Sequence, residues 1–259
     1  VLPYPISLKL GSQLSAGEYD LRLKQYCKNS NIKIRIVIPI SGAAVGLDYF
    51  VKLTSALCRQ IPRIKIFLVV KRTIYTRDFI RKMKARNYIT VIENSQDKTV
   101  VDSYEKLYRE EVIGLEIVKP SEQMFKAVLA KNQRGGAILL LTEPMGIQEE
   151  DNVRFLLDHK LLPCQEDQER LEMEAKLGKT PEKEFFEEYL KKAALWKAIR
   201  LSNKPSQDAQ FIDWCLEAGI FEQMASLKKN CDEGDTEIAG NGVERFWKRT
   251  DRLIAGRER

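Results

Sequence analysis

Residues 113–152 decide the predicted fold, and they read IGLEIVKPSEQMFKAVLAKNQRGGAILLLTEPMGIQEEDN. A short apolar run, 113–118, ends in a Lys-Pro-Ser-Glu loop, and a helical pattern follows it. After a Gly-Gly turn, a second apolar run, 137–141, ends in a second polar loop that leads into another helix. The pattern is therefore strand–loop–helix, twice. In an open parallel sheet both loops lie at the carboxyl ends of the strands, where such sheets bind ligands.

The same alternation extends upstream of this stretch. Apolar, β-branched runs at residues 32–40, 64–70 and 88–92 predict three more strands, and segments with helical spacing separate them. Parallel strands need crossover connections of this length. Residues 32–163 are therefore predicted to form a doubly wound, parallel, Rossmann-like α/β sheet.

The carboxyl-terminal segment lacks this alternation. Residues 164–259 show no strand pattern, so they are predicted to form an all-helical tail, with helices at 165–177, 181–200, 206–229 and 243–254. This segment has too few apolar residues for a large core of its own. It is therefore expected to pack on the α/β domain or on a partner.

Composition restricts the function classes. The 43 basic and 37 acidic residues give a net charge of +6, which permits a phosphate-bearing or anionic-membrane partner without requiring one. Five scattered cysteines with no CxxC pair, and a single histidine, argue against a zinc cluster, a disulfide framework and a histidine-dependent triad. No apolar run is long enough to span a membrane, and the cysteine usage fits a reducing cytoplasm.

Two loops after predicted strands are candidate anion sites. The first, residues 41–46 (SGAAVG), offers backbone N–H groups at a helix start, but it matches neither GxGxxG nor Walker A. A plain tight turn explains it equally well. In the second loop, helix capping alone explains Ser121 and Glu122. Lys119, at the end of its strand, has no such explanation and is a candidate for contact with a phosphate.

A third loop, residues 146–152, begins at Gly146 and continues into a helix. Three successive acids there suit the helix dipole, which by itself would explain Glu149. Gln148 and Asn152 are four residues apart, so they share one face of a helix that includes both. Together with Glu149, these two amides could hydrogen-bond sugar hydroxyls.

These motifs, in this order, resemble the carboxyl-terminal domain of GT-B glycosyltransferases. The resemblance is closest to the branch of the diacylglycerol glycosyltransferases and the peptidoglycan GlcNAc transferase. It covers residues 32–163 and depends on the Lys-Pro loop at 119–122 and on the Gly, Gln, Glu and Asn pattern at 146–152. It implies a UDP-sugar as the donor substrate, with no cofactor and no metal.

The resemblance also implies a place for each candidate residue. Those beside the donor diphosphate would be Gly42, Ala43, Lys119, Pro120, Ser121 and Glu122. Those at the sugar would be Gln148, Glu149 and Asn152, and Gly146 would belong to the same binding loop. Those near the base would be Ile92 and Glu93. The chain has Met124 and its neighbours where the family carries its ribose-binding glutamate, so the ribose ligand is not identified.

A GT-B enzyme has two α/β domains, and the resemblance covers one of them. Residues 1–31 are therefore expected to be an interdomain segment or the end of a missing amino-terminal domain. The acceptor and the general base are expected from that domain or from a partner subunit, so these residues alone are not expected to be active. A cytoplasmic location is expected, with peripheral membrane contact through that partner.

A second hypothesis is a nonenzymatic α/β module that binds a nucleotide or a protein, with the helical tail as an adaptor. The basic helix at 77–86 and the aromatic residues of the tail would then be interfaces. Nucleic-acid binding is not expected, because basic and aromatic residues are not interleaved and no known motif occurs.

Overall fold

A computed structural model describes residues 14–40, 44–121, 124, 128, 136–143, 146–178, 183–226 and 242–255 of the 259-residue chain. Six strands are present in this part of the chain: β1 (Ile34–Ile40), β2 (Ile64–Lys71), β3 (Ile89–Asn94), β4 (Leu115–Val118), β5 (Ala137–Leu141) and β6 (Ala198–Leu201). They form one all-parallel sheet in the order β3-β2-β1-β4-β5-β6. The predicted doubly wound, Rossmann-like arrangement is confirmed.

Helices connect the strands and continue into the carboxyl-terminal segment. They are α1 (Ala16–Tyr26), α2 (Leu47–Gln60), α3 (Arg77–Lys84), α4 (Asp97–Glu110), α5 (Ile147–Asp158), α6 (Gln165–Leu177), α7 (Lys183–Ala193), α8 (Pro205–Glu217), α9 (Ile220–Met224) and α10 (Gly242–Ala255). Local chemistry explains several ends. Ser15 and Glu18 form a capping box at the start of α1. Gly178, with φ of +63°, ends α6.

The sheet is covered on both faces, which explains why its strands are apolar almost throughout. On one face, alternate residues such as Ile36, Leu68 and Leu139 share a core with α2, α3 and α6 to α9. On the other face, Val37 and Phe67 pack against α4, and Ile138 packs against α5. The expectation that the carboxyl-terminal segment packs on the α/β domain is confirmed, because four of its described helices contribute to the first of these cores.

The expectation of no strand after residue 164 is wrong. The helix predicted for residues 181–200 ends at Ala193, and Ala198–Leu201 forms β6 beside β5. Ala198 and Ile199 are fully buried there. Four residues are too few to show a strand periodicity, and the hydrogen-bonding edge of β5 gives this short run its partner. The other described elements of the segment are helices, and the helix predicted for residues 206–229 is divided at Gly219 into α8 and α9.

The strand order reverses between β1 and β4. β1 pairs with β2 on one side and with β4 on the other, where Ile36 lies beside Leu115. The connections that leave β1 and β4 therefore run in opposite directions across the sheet. Such a reversal opens a crevice at the carboxyl ends of the two strands, and this is the usual ligand position in open α/β sheets.

Candidate functional site

A cavity of about 110 Å³ opens in this crevice. Its apolar wall comes from strand ends and from the starts of two helices: Pro39 and Ile40 in β1, Val69 in β2, Val118 in β4, Phe50 in α2, and Val100 in α4. The polar part of the wall consists of Lys119, Ser121 and Glu149, and all three belong to the loops or helix predicted to form the site. Pockets that enclose a whole drug-sized ligand measure roughly 300–1,000 Å³, so this cavity fits one part of such a ligand.

Lys119 and Glu149, which both line the cavity, form an ion pair. The Lys119 Nζ lies 3.6 Å from the Glu149 Oε2, and both side chains are about three-quarters buried. The same Glu149 oxygen accepts a hydrogen bond of 3.1 Å from the Gly146 N–H, which caps α5. Glu149 is thus held in place by its own helix, and it holds the ammonium group of Lys119 at the end of β4.

Asn152 joins the two loops. Its Nδ2 donates a hydrogen bond of 2.7 Å to the carbonyl oxygen of Pro120, thirty-two residues earlier in the chain. Pro120 is buried, so this bond satisfies a carbonyl that has little access to water. Asn152 therefore positions the Lys-Pro loop, and its contact with a sugar stays a prediction. Gln148, one turn earlier on α5, is exposed.

The amino-terminal end of α2 also faces the cavity, since Val45 and Phe50 line it. Gly46 is the N-cap of this helix, with φ of +78°, and no described side chain caps the helix by a hydrogen bond. The free N–H groups and positive dipole end of an uncapped helix favour an anion. Gly42 and Ala43, which were predicted to lie by the diphosphate, fall outside the described residues, and so does Glu122.

Two predicted residues lie apart from the cavity. Ile92 packs partly against the core under α4, and Glu93 pairs with Lys84 of α3 at 2.6 Å. Both belong to β3, which is the edge strand and lies three strand spacings from β4. At about 4.8 Å per spacing, a ligand must extend about 14 Å along the edge to reach both Lys119 and Glu93.

A polar cluster beneath the cavity was missed in the sequence. Glu116 lies two residues before Val118 on the same face of β4 and is fully buried. The Tyr104 hydroxyl donates to both of its carboxyl oxygens, at 2.9 and 3.0 Å, and the Tyr108 hydroxyl donates to one of them. Burial raises the pKa of Glu116 to about 8, and the hydrogen bond from Tyr104 only partly opposes this shift.

The sequence does contain a signal for this cluster. Glu116 is the single charged residue in the strand Leu115–Val118, which is buried at every position. Tyr104 and Tyr108 are four residues apart, so they share one face of α4. A lone acid in a strand buried on both faces needs polar partners, and two tyrosines at helical spacing can supply them.

Comparison of the chain with models of protein families finds no match, and comparison with characterised proteins finds none either. Among the described residues, no group of three or more His, Cys, Asp or Glu side chains could hold a metal ion. In the same part of the chain, no helix is both long enough and apolar enough to cross a bilayer. The fold and the crevice define an α/β protein of Rossmann-like topology with a small cavity at its switch point.

Proposed function

We propose that this chain is the donor-binding half of a GT-B glycosyltransferase and that it binds a UDP-sugar. The observation that carries the proposal is the cavity at the β1–β4 switch point, with Lys119 in its wall. Three loops that resemble the donor-binding loops of that family follow β1, β4 and β5, at the carboxyl ends of these strands.

The donor diphosphate would lie between Lys119 and the uncapped start of α2. Both groups place positive charge where negative charge develops on the departing UDP. The sugar would lie toward the start of α5, where Gln148 is exposed and Glu149 lines the cavity. Carboxylate and amide groups are suited to hydrogen-bond sugar hydroxyls.

The acceptor and the general base would come from a domain or a chain outside these residues. The one carboxylate among the described residues that line the cavity is Glu149, and it already binds Lys119 and the Gly146 N–H. A carboxylate held in this way is suited to recognise a hydroxyl rather than to remove a proton from an incoming acceptor. Binding of the donor is therefore the property to test.

Hydrogen–deuterium exchange with UDP, UDP-GlcNAc and ADP tests the proposal directly. We expect UDP and UDP-GlcNAc to protect peptides that cover residues 41–46, 119–123 and 146–152, and ADP to protect them less. Equal protection by all three ligands would favour the nonenzymatic nucleotide-binding module instead. No protection by any of them would rule out the donor site.

Two single substitutions separate the roles of the ion pair. Lys119→Met removes a charged donor, so UDP affinity measured by calorimetry should fall about 10- to 100-fold. Glu149→Gln keeps the shape and removes a negative charge beside the diphosphate, so UDP affinity should be unchanged or higher. The preference for UDP-GlcNAc over UDP should then decrease.

Lys106→Met is the matched control, because Lys106 is exposed near the end of α4, which lies toward the amino-terminal ends of the strands and away from the cavity. It should bind both ligands as the unaltered chain does. Unaltered UDP binding in Lys119→Met would contradict the assignment of the diphosphate to this cavity.

A further inference from the structure

The net charge of the chain is concentrated in one segment. Residues 71–86 read KRTIYTRDFIRKMKAR, with seven basic residues and one acidic residue, for a net charge of +6. The whole chain has 43 basic and 37 acidic residues, so the other residues contain 36 of each and carry no net charge. The segment consists of the end of β2, the β2–α3 loop, α3 and the two residues after it.

Two large apolar side chains project from the loop in this segment. Ile74 is 73% exposed and Tyr75 is 74% exposed, and among the described large apolar side chains only Ile147 is exposed more. Thr76 holds the loop in shape, because it is fully buried and its hydroxyl donates to the Lys71 carbonyl at 2.7 Å. The Thr73 N–H in turn donates to the Thr76 hydroxyl at 2.9 Å. The loop is therefore preorganised with its apolar tip in solvent.

Helix α3 presents a basic face beside this tip. Phe79, Ile80 and Met83 are buried and fasten the helix to the core, so its charged residues point outward. Four of the seven basic residues of the segment have partners. Lys71 pairs with Asp97, Arg81 with Asp78 and Lys84 with Glu93, and Arg86 donates to Thr54.

The other three basic residues, Arg72, Arg77 and Lys82, are exposed and have no acidic partner within the described part of the chain. They surround the apolar tip in sequence. We name this surface, made of residues 71–86, the basic loop–helix surface. It combines unneutralised positive charge with apolar side chains that water solvates poorly.

We propose that the basic loop–helix surface docks this protein on a bilayer that contains anionic phospholipids. Arg72, Arg77 and Lys82 would contact the headgroup phosphates, while Ile74 and Tyr75 would enter the interface. A bilayer matches both properties of the surface, since basic residues gain from the negative surface potential and apolar residues gain from insertion. A nucleic acid matches the charge and could stack a base on Tyr75, but it offers no apolar partner to Ile74. This inference does not depend on the proposed donor site.

Vesicle co-sedimentation of the 259-residue chain tests the inference. One set of vesicles is phosphatidylcholine alone, and the other contains about one third phosphatidylserine. We expect binding to the second set only, weakened by added salt. Neutralising Arg72, Arg77 and Lys82 to Gln should reduce the affinity by about five-fold for each residue and by about 100-fold for all three.

A matched control neutralises Lys33, Lys106 and Arg109 to Gln. These residues are also exposed, but they lie near the start of β1 and the end of α4, toward the amino-terminal ends of the strands. Helix α4 packs on the face of the sheet opposite to α3. The control changes the net charge of the protein by the same amount, so it should retain nearly all of the vesicle binding. Equal losses in the two triple variants would show that net charge alone is responsible and would overturn the proposal.

The apolar tip is tested separately by Ile74→Ser with Tyr75→Ser, which should weaken vesicle binding at unchanged charge. Helix α10 carries a second exposed apolar pair, Phe246 and Trp247, so a variant with both changed to Ser serves as the comparison. Loss of binding only in the α10 variant would overturn the proposal. Absence of binding to anionic vesicles would also overturn it. The proposal would also be overturned if the same basic residues bound a DNA oligonucleotide while the changes at Ile74 and Tyr75 left vesicle binding unaffected.

Discussion

Glu116→Gln is the most informative change to the core, because it removes one titratable group and preserves the shape of its side chain. Glu116 is fully buried in β4 and accepts hydrogen bonds from Tyr104 and Tyr108. Burial raises its pKa from the ordinary value of 4.5 to about 8. At neutral pH the folded protein therefore holds this carboxyl group protonated, whereas the unfolded chain releases the proton.

The sign of the effect follows from proton binding. Between pH 4.5 and about 8 the folded state binds one more proton at Glu116 than the unfolded state, so the free energy of unfolding falls as the pH rises. The slope is about 1.4 kcal/mol per pH unit, and the total over this window is about 5 kcal/mol. The stabilisation is complete below pH 4.5 and is lost as the pH rises through about 8. A loss of this size is comparable with the whole stability of many domains.

Urea unfolding at pH values from about 4 to about 9 measures how much Glu116 contributes to the free energy of unfolding. Glutamine cannot ionise, so the variant should match the unaltered protein at low pH and exceed its stability at high pH by up to about 5 kcal/mol. Other titrating groups are common to both proteins and cancel in the difference. Glu150→Gln, at an exposed position on α5, is the control and should leave the pH dependence unchanged. Parallel stability curves for Glu116→Gln and the unaltered protein would refute the assignment of a buried, protonated carboxyl group.

Two further predictions concern one loop after the carboxyl end of a strand and one glycine before the start of a strand. Asn152→Ala removes the only described side-chain hydrogen bond to the Pro120 carbonyl. Amide hydrogen exchange in the 119–121 loop should therefore become faster, and UDP affinity should fall several-fold. The free energy of unfolding should fall by about 1–3 kcal/mol. Unchanged exchange in that loop would contradict the positioning role. Gly136→Ala should destabilise the protein by at least about 2 kcal/mol, because Gly136 has φ of +73° and an added Cβ would lie 2.0 Å from the Gly114 carbonyl oxygen. Gly17→Ala, with nothing within 4 Å of the added Cβ, is the comparison in chemical unfolding and should be neutral or slightly stabilising.

Much of the sheet could be predicted because its strands have strong local signals. The run at 64–70 is apolar on both faces, and the structure places β2 at Ile64–Lys71. The Lys-Pro loop at 119–121 and the helix start at 146–147 also follow from local chemistry, since they come directly after apolar runs. Once parallel strands are assumed, the carboxyl ends of β4 and β5 must lie side by side.

The missed strand had no such signal. Residues 198–201 continue an apolar spacing that begins in α7, so the sequence favoured one long helix over residues 181–200. The structure ends that helix at Ala193 and pairs Ile199 with Leu139 of β5. Pairing with β5 satisfied the backbone hydrogen bonds of this segment, which is too short for its sequence to indicate a strand.

The sequence by itself determined which residues form polar loops at the carboxyl ends of the strands, because helix and strand periodicity are local properties. The tertiary structure decided what those residues do there. It brought Asn152 to the Pro120 carbonyl, set Lys119 against Glu149, and placed Glu116 beneath the cavity between two tyrosines. Each of these contacts joins separate elements, and the last depends on α4 packing where its two tyrosines reach Glu116 of β4. Such contacts depend on strand order and helix packing, which side-chain periodicity within one segment does not encode.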